Sequence, residues 1–214
     1  DNNLTLRNVT TAITSVTTKT ADGTLTVGLT TDGAADTLTH TTGGTAAQNL
    51  VLNAVDYEVI NTSATGVNSN SLTLGNALAL TGATGETDSG KTVADLTTVN
   101  ITGNKTFTLT ASNAYLTQLA TVDASGFTGD QLNVDASGSD VAMTISADIG
   151  SKVVVTSGIG ADKITVGSGG STEANSVTSG KGNDTIISGS ANDTINSGEG
   201  DDSITSNAGN DNIT

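Results

Sequence analysis

The chain has 214 residues and a formal charge of −15, with 22 Asp plus Glu against seven Lys plus Arg. That balance argues against nucleic acid, whose phosphates need cationic partners, and against docking on or inserting into an anionic membrane; it suits a chain loaded with divalent cations. There is no Pro, Cys or Trp and there are only four aromatic residues, Tyr57, Phe107, Tyr115 and Phe127, too few large side chains for a well-filled globule.

A narrow solenoid lined by stacked Val, Ile, Leu and Ala needs less bulk, so composition favours a long thin β-structure. High charge with low hydrophobicity also predicts disorder, and both readings hold for a chain that is disordered until metal arrives. The absence of Cys gives no disulfide indication of export and does not oppose it. No apolar run approaches about 18 residues. The pattern is in progress at Asp1 and completes a repeat at Thr214, so a fragment of a longer chain is expected, with any targeting signal outside it.

Strand signals run from the first residues onward: β-branched side chains in alternation, broken by Gly, Asn, Asp and Ser. Leu4-Thr5-Leu6 and Leu25-Thr26-Val27-Gly28-Leu29 come first. Thr31-Asp-Gly-Ala-Ala-Asp36-Thr-Leu38 is a lone echo of the repeat described below. His40, in Thr-His-Thr-Thr-Gly-Gly, has no nucleophile or acid at an interpretable spacing and is read as structural. Leu72-Thr73-Leu74, Phe107-Thr108-Leu109 and Leu132-Asn133-Val134 continue the alternation, and the best helical window, Ala111 to Leu119, is short. Leu96-Thr-Thr-Val99-Asn-Ile-Thr-Gly103 resembles Leu119-Ala-Thr-Val122-Asp-Ala-Ser-Gly126, with Val55 to Asn61 a fainter relative, and Asp123-Ala-Ser-Gly126 recurs as Asp135-Ala-Ser-Gly138. These spacings suit turns of an irregular parallel β-helix. A soft boundary is placed near Gly150, dividing an irregular Thr-rich solenoid over 1–150 from a regular repeat region over 151–214.

Beyond it Asp184, Asp193, Asp202 and Asp211 stand nine residues apart, each followed two positions later by Ile186, Ile195, Ile204 or Ile213. A fixed short period is the signature of a solenoid. Small residues at positions one, two and four of each phrase permit a tight turn with φ > 0, and the Ile at position eight points inward. Two phrases per turn place Asp184 beside Asp202 and Asp193 beside Asp211, about 4.8 Å apart. Carboxylates that close repel and resist ionisation. A hard divalent cation reverses that sign. Calcium accepts six to eight oxygens, main-chain carbonyls included, whereas magnesium holds its waters and no His or Cys lies near these aspartates for zinc. The competing reading makes the aspartates corner caps that accept backbone N–H groups.

The phrases from Ser179 to Thr214 resemble the Gly-Gly-x-Gly-x-Asp-x-apolar-x calcium-binding nonapeptide of RTX proteins. The resemblance implies a parallel β-roll with calcium held by carbonyls at positions two and four and the position-six Asp of one repeat, plus carbonyls at positions one and three and the Asp of the repeat two further on. One site would use Gly180, Gly182 and Asp184 with Ser197, Glu199 and Asp202. The next would use Gly189, Ala191 and Asp193 with Ser206, Ala208 and Asp211. Ser at position one throughout, Ala191 and Asn207 depart from the pattern. Ser157-Gly158-Ile-Gly160-Ala-Asp162 is a fifth copy, displaced by four extra residues expected between Gly167 and Ala174, and Asn175 sits where an Asp belongs and can offer only a neutral oxygen; the resemblance makes Gly158, Gly160, Asp162 and Asn175 further candidate calcium ligands.

The mid-chain Val-Asp-Ala-Ser-Gly-Phe-Thr-Gly phrases running into such repeats also resemble self-assembling S-layer proteins of Gram-negative bacteria. That resemblance implies type I secretion, an extracellular address, and a calcium-dependent lattice of identical chains, with contact to outer-membrane lipopolysaccharide through regions outside these residues. It implies no enzymatic activity. An RTX adhesin or an ice-binding solenoid with outward Thr/Asn rows is the alternative, and an accessory domain of a secreted enzyme a third class. No metalloprotease His-Glu-x-x-His and no phosphate-loop Lys is present.

Overall fold

The computed structural model describes residues 4–9, 15–18, 23–29, 36–43, 47–55, 57–66, 69–74, 96–112, 116–147, 149–167 and 172–214. Among these the regular structure is all strand, every pair parallel. One sheet of ten orders β1 (Leu4–Val9), β3 (Gly23–Leu29), β5 (Gln48–Val55), β7 (Asn70–Leu74), β9 (Phe107–Thr110), β11 (Gln131–Asp135), β13 (Lys152–Thr156), β15 (Ser176–Thr178), β17 (Thr194–Asn196) and β19 (Asn212–Ile213). The other, of nine, orders β2 (Ser15–Thr18), β4 (Thr37–Thr42), β6 (Val59–Ala64), β8 (Thr98–Gly103), β10 (Thr121–Phe127), β12 (Thr144–Ala147), β14 (Lys163–Val166), β16 (Thr185–Ile187) and β18 (Ser203–Thr205). Odd strands fill one sheet and even strands the other, so each turn of chain adds one strand to each. The molecule is a parallel β-solenoid.

Period-two alternation is what allows it. Strands β4 and β6 bury every second residue, and the pleat sends those side chains to one face. Because the strands stack in register, the inward residues form columns. Leu38, Ile60, Val99, Val122, Ile145, Ile164, Ile186 and Ile204 lie in one continuous column. Leu50, Leu72, Leu109, Val134, Val155, Val177, Ile195 and Ile213 form its counterpart in the facing sheet. Burying each such side chain contributes about 1.5–3 kcal/mol. Ile213, with no turn beyond it, remains 47 % exposed.

Turn length varies along the axis. Thr98, Thr121 and Thr144 stack at 23-residue intervals, whereas Thr185 and Ser203 stack at 18. Longer turns enclose a wider core that takes the buried Phe107, Leu116 and Phe127. Three-residue strands such as β16 have a single buried position, supplied by Ile186. The ladder crosses Gly150 without interruption, through Gln131 beside Lys152 and Thr144 beside Lys163. The mid-chain resemblance is a stacking relation: Val99 lies under Val122, and Ile60 under Val99. Asp123 and Asp135 accept the N–H of the Ser two residues on, at 2.9 and 3.2 Å, which closes Asx turns. The window expected to be the best helix is a turn at residues 117–118, with Leu119 N donating to Leu116 O; its residues 113–115 lie outside the described residues, as does 31–35 of the Asp36 echo.

His40 is an inward residue of β4, stacked between Val16 and Thr62 and 1 % exposed, with Nδ1 3.1 Å from Thr62 Oγ1. Burial disfavours the imidazolium and pushes its pKa from 6.5 down to about 4. Between those pH values the unfolded chain binds the proton more readily than the folded one, so His40 favours folding above about pH 6.5 and that contribution is lost as pH falls toward 4. The loss is at most about 3 kcal/mol. Comparing denaturation of the parent and His40→Leu at pH 7.5 and 4.5 checks this: the parent should lose more stability than the variant, and equal losses would refute it.

Candidate metal centre

The nine-residue spacing puts position six at the corner just before each strand, so the aspartates form two columns on opposite edges of the solenoid. In the first, Asp162, Asp184 and Asp202 stand in line, and each carboxylate Oδ1 accepts a backbone N–H from the turn before. Met143 N donates to Asp162, Asp162 N to Asp184 and Asp184 N to Asp202, at 2.8, 2.8 and 2.9 Å. In the second, Val153 N donates to Asn175, Asn175 N to Asp193 and Asp193 N to Asp211, at 2.9, 2.8 and 2.9 Å. Corner capping and the pairing of Asp184 with Asp202 and Asp193 with Asp211 therefore coexist.

Capping uses one oxygen and leaves the other. Oδ2 of Asp162, Asp184 and Asp193 is buried without a hydrogen-bond partner, and all three residues are 1 % exposed. A buried ionised oxygen with no donor is costly. Burial accordingly pushes the Asp162 and Asp184 pKa values above the ordinary carboxylate range. Hydrogen bonds pull back against this, and the charge of the next Asp in the column adds to the rise. The Ser157 and Ser179 hydroxyls lie beside these carboxylates but give their protons to Ser179 O and Ser197 O, at 2.8 and 2.7 Å. Ser188 does the same toward Ser206 O. Ser at position one is thus a buried link between turns, a role that the glycine it replaces lacks.

The loop carbonyls complete the arrangement. A Cβ on Gly198 would sit 1.8 Å from Gly180 O, and one on Gly200 1.9 Å from Gly182 O. The carbonyls at positions two and four therefore face the next loop at a range that only glycine permits, and Gly180, Gly182, Gly198 and Gly200 all hold φ between 85° and 145°. Across this pair Gly180 O accepts Glu199 N at 2.9 Å and Glu199 O accepts Gly182 N at 2.8 Å, and outside them Lys181 Nζ meets Glu199 Oε2 at 3.0 Å. Each bonded carbonyl keeps a second lone pair.

The Ser188–Asn192 loop differs. Neither Gly189 nor Ala191 takes positive φ, whereas Asn207, where a loop glycine was expected, adopts φ 59° without glycine; Asn tolerates that region through its short polar side chain. Ala191 O still faces Gly209, 2.2 Å from a Cβ placed there. Asp202, Asp211, Ser197 and Ser206 are half-buried, while Glu199 and Ala208 are exposed. Asn175 is buried and holds its corner through Oδ1, so its unpartnered Nδ2 occupies the side where the aspartates present Oδ2. Sequence reasoning missed a second cap: Asn183 and Asn192 at position five accept Asp201 N and Asn210 N, at 2.9 and 2.8 Å. Their recurrence with the aspartate period was the available signal. Among the described residues no three His, Cys, Asp or Glu side chains converge, so a cation here depends on paired aspartates and main-chain oxygens, a hard-donor set suited to calcium.

Comparison with known proteins agrees with this geometry. Residues 178–213 match the RTX calcium-binding nonapeptide repeat, in four copies. The chain contains RTX calcium-binding repeats. Neither the comparison with curated proteins nor that with solved structures returned a match.

Proposed function

We propose that these residues are part of a secreted RTX-type surface protein whose C-terminal roll folds on calcium, and that it serves structurally, as a component of a bacterial surface layer rather than as an enzyme. The observation that carries the calcium reading is the set of buried, partnerless Oδ2 atoms at corners whose loop carbonyls face the next turn. Gly180, Gly182 and Asp184 with Ser197, Glu199 and Asp202 would hold one ion. Gly189, Ala191 and Asp193 with Ser206, Ala208 and Asp211 would hold the next. Bound calcium would neutralise the facing carboxylates and supply the coordination their buried oxygens lack.

The chain's own residues set the direction of the response. Carboxylates buried without partners oppose closure of the corners, so the repeats are unstable until a ligand binds the native state alone. At low cytosolic calcium the chain would be exportable through a type I system; at millimolar calcium outside it would fold, then assemble with identical chains. Far-UV circular dichroism should show a large gain in β-signal when millimolar calcium is added to chain dialysed against EDTA, and an unchanged spectrum would contradict the folding switch. Electron microscopy of the full-length protein should show two-dimensional arrays with calcium and none without.

An adhesin or ice-binding role is the second reading. It is favoured by the rank of Thr98, Thr121 and Thr144 stacked one per turn on one face. Lys163 and Thr185 continue that rank, so a charge interrupts it. Thermal hysteresis in the calcium-loaded protein would favour ice binding over the lattice.

A further inference from the structure

We propose that the open groove beside Ile159 is a self-association site: Ile159 of a second copy of this chain seats in it, and the exchange is mutual across a twofold axis. The proposal rests on the reading above, in which the C-terminal repeats fold on calcium and identical chains assemble, and it names the surface on which they meet.

Ile159 and Ile213 are the exposed large apolar side chains among the described residues, at 53 and 47 %. The exposure of Ile213 follows from its place on the last strand. Ile159 has turns stacked on both sides of it, in the loop between β13 and β14, where its N–H donates to Ser139 O at 3.2 Å. The next two turns carry Lys181 and Glu199 at the same loop position, bridged to each other. An isoleucine thus stands in water where its neighbours along the axis are charged. Beside it opens a groove of about 430 Å³. Gly158, Gly180 and Gly198, stacked one per turn, contribute backbone alone to its lining. Thr178 and Asn196 line it from β15 and β17, and its surface is mostly apolar.

Charge selects the occupant. The groove is lined by one cation and one anion, Lys181 and Glu199, which pair at 3.0 Å with 62 and 76 % of their side chains exposed. The lining therefore carries no net charge, on a chain whose formal charge is −15. Copies of so acidic a chain repel one another over most of their surface. Here Lys181 of each copy meets Glu199 of the other, and an exposed pair loses little by exchanging partners. An apolar knob, an apolar groove and a balanced charge pair side by side are what an isologous contact needs, since it presents the same patch twice. The knob lies outside the matched segment 178–213, whereas Thr178, Gly180, Lys181, Asn196, Gly198 and Glu199 lie within it. Every chain carries the knob, but the receiving wall exists only once those repeats have folded. Association then follows calcium with no ion at the interface, and it stabilises the folded repeats in return.

Sedimentation velocity over a range of protein concentrations, with circular dichroism on the same samples, tests the contact. In millimolar calcium the parent should dimerise reversibly. Ile159→Ser should reach the same β-signal and raise the dimer dissociation constant on the order of tenfold or more, whereas Ile159→Leu should associate as the parent does. A folded parent that stays monomeric at its highest soluble concentration overturns the proposal, and so does an Ile159→Ser variant that associates equally well. Failure of the calcium reading gives a different result: association that depends on Ile159 but is equal in calcium and in EDTA would retain the contact and overturn calcium control of folding. Should Ile159→Ser lose the calcium-induced β-signal, Lys181→Glu decides, because it sets a glutamate against Glu199 of the second copy. Weaker association then supports the site, and unchanged association overturns it.

Discussion

Asp184→Asn should reverse its effect with calcium: in millimolar calcium the roll loses stability, and in EDTA the variant is at least as stable as the parent. Asp184 is the middle carboxylate of its column. Its Oδ1 takes Asp162 N–H, its own N–H goes to Asp202, and its Oδ2 has no protein partner. An amide retains the first two bonds, as Asn175 does on the other edge. What it removes is the buried charge, which the protein alone does not compensate and whose burial raises the Asp184 pKa. Without metal that removal relieves a penalty. With metal it deletes an anionic ligand, and calcium affinity follows ligand charge. The calcium concentration at half-folding should rise on the order of tenfold or more. Calcium titrations followed by circular dichroism, with EDTA end points, test both signs. A variant weaker than the parent in EDTA as well would mean that Asp184 is only a corner cap.

Gly198→Ala should be the most damaging small substitution in the roll. Its φ of 85° is unfavourable for any L side chain, and the added Cβ would lie 1.8 Å from Gly180 O, a backbone atom with nowhere to move. Strain and overlap each contribute about 1–3 kcal/mol, so a loss of roughly 2–6 kcal/mol is expected. That would abolish calcium-induced folding of the neighbouring turns. Gly150→Ala, where a Cβ would meet nothing within 4 Å, should leave stability nearly unchanged. Similar melting temperatures for the two variants would refute the close approach of loops on which the metal centre depends.

The C-terminal roll was legible because its period is fixed. Once Asp184 and Asp202 are known to be one turn apart, stacking of Ile186 on Ile204 follows, and the structure has that register. The rest of the solenoid lacked such a ruler. From β6 to β8 the stacked residues Ile60 and Val99 are 39 apart, and from β8 to β10 Val99 and Val122 are 23 apart. Loop closure entropy grows slowly with length, so a solenoid tolerates such insertions while its columns remain aligned. Column identity also drifts. Phe107, Leu132 and Val153 occupy the corner column that continues as Asn175, Asp193 and Asp211. An apolar wall becomes a row of potential ligands with no break in register, and no local pattern marks the change.

The caps were hidden for a different reason. Whether an Asp at position six bonds within its own loop, to the previous turn or to a cation depends on the axial offset between turns, which sequence does not contain. Asp162 shows the consequence. By spacing it is out of phase with Asp184, yet the corner holds because the additional residues follow β14. Ser179 shows it too: a departure from the glycine pattern proves to be a buried hydroxyl joining two loops.

Hydrogen exchange with and without calcium tests the central claim most directly. After dialysis against EDTA, amides of residues 179–214 should exchange freely, and millimolar calcium should protect Asp184, Asp193, Ile186 and Ile195, while those of Val99, Val122 and Ile145, in the apolar columns, should be protected in both states. Protection of Asp184 and Asp193 that is unchanged by calcium would contradict the account.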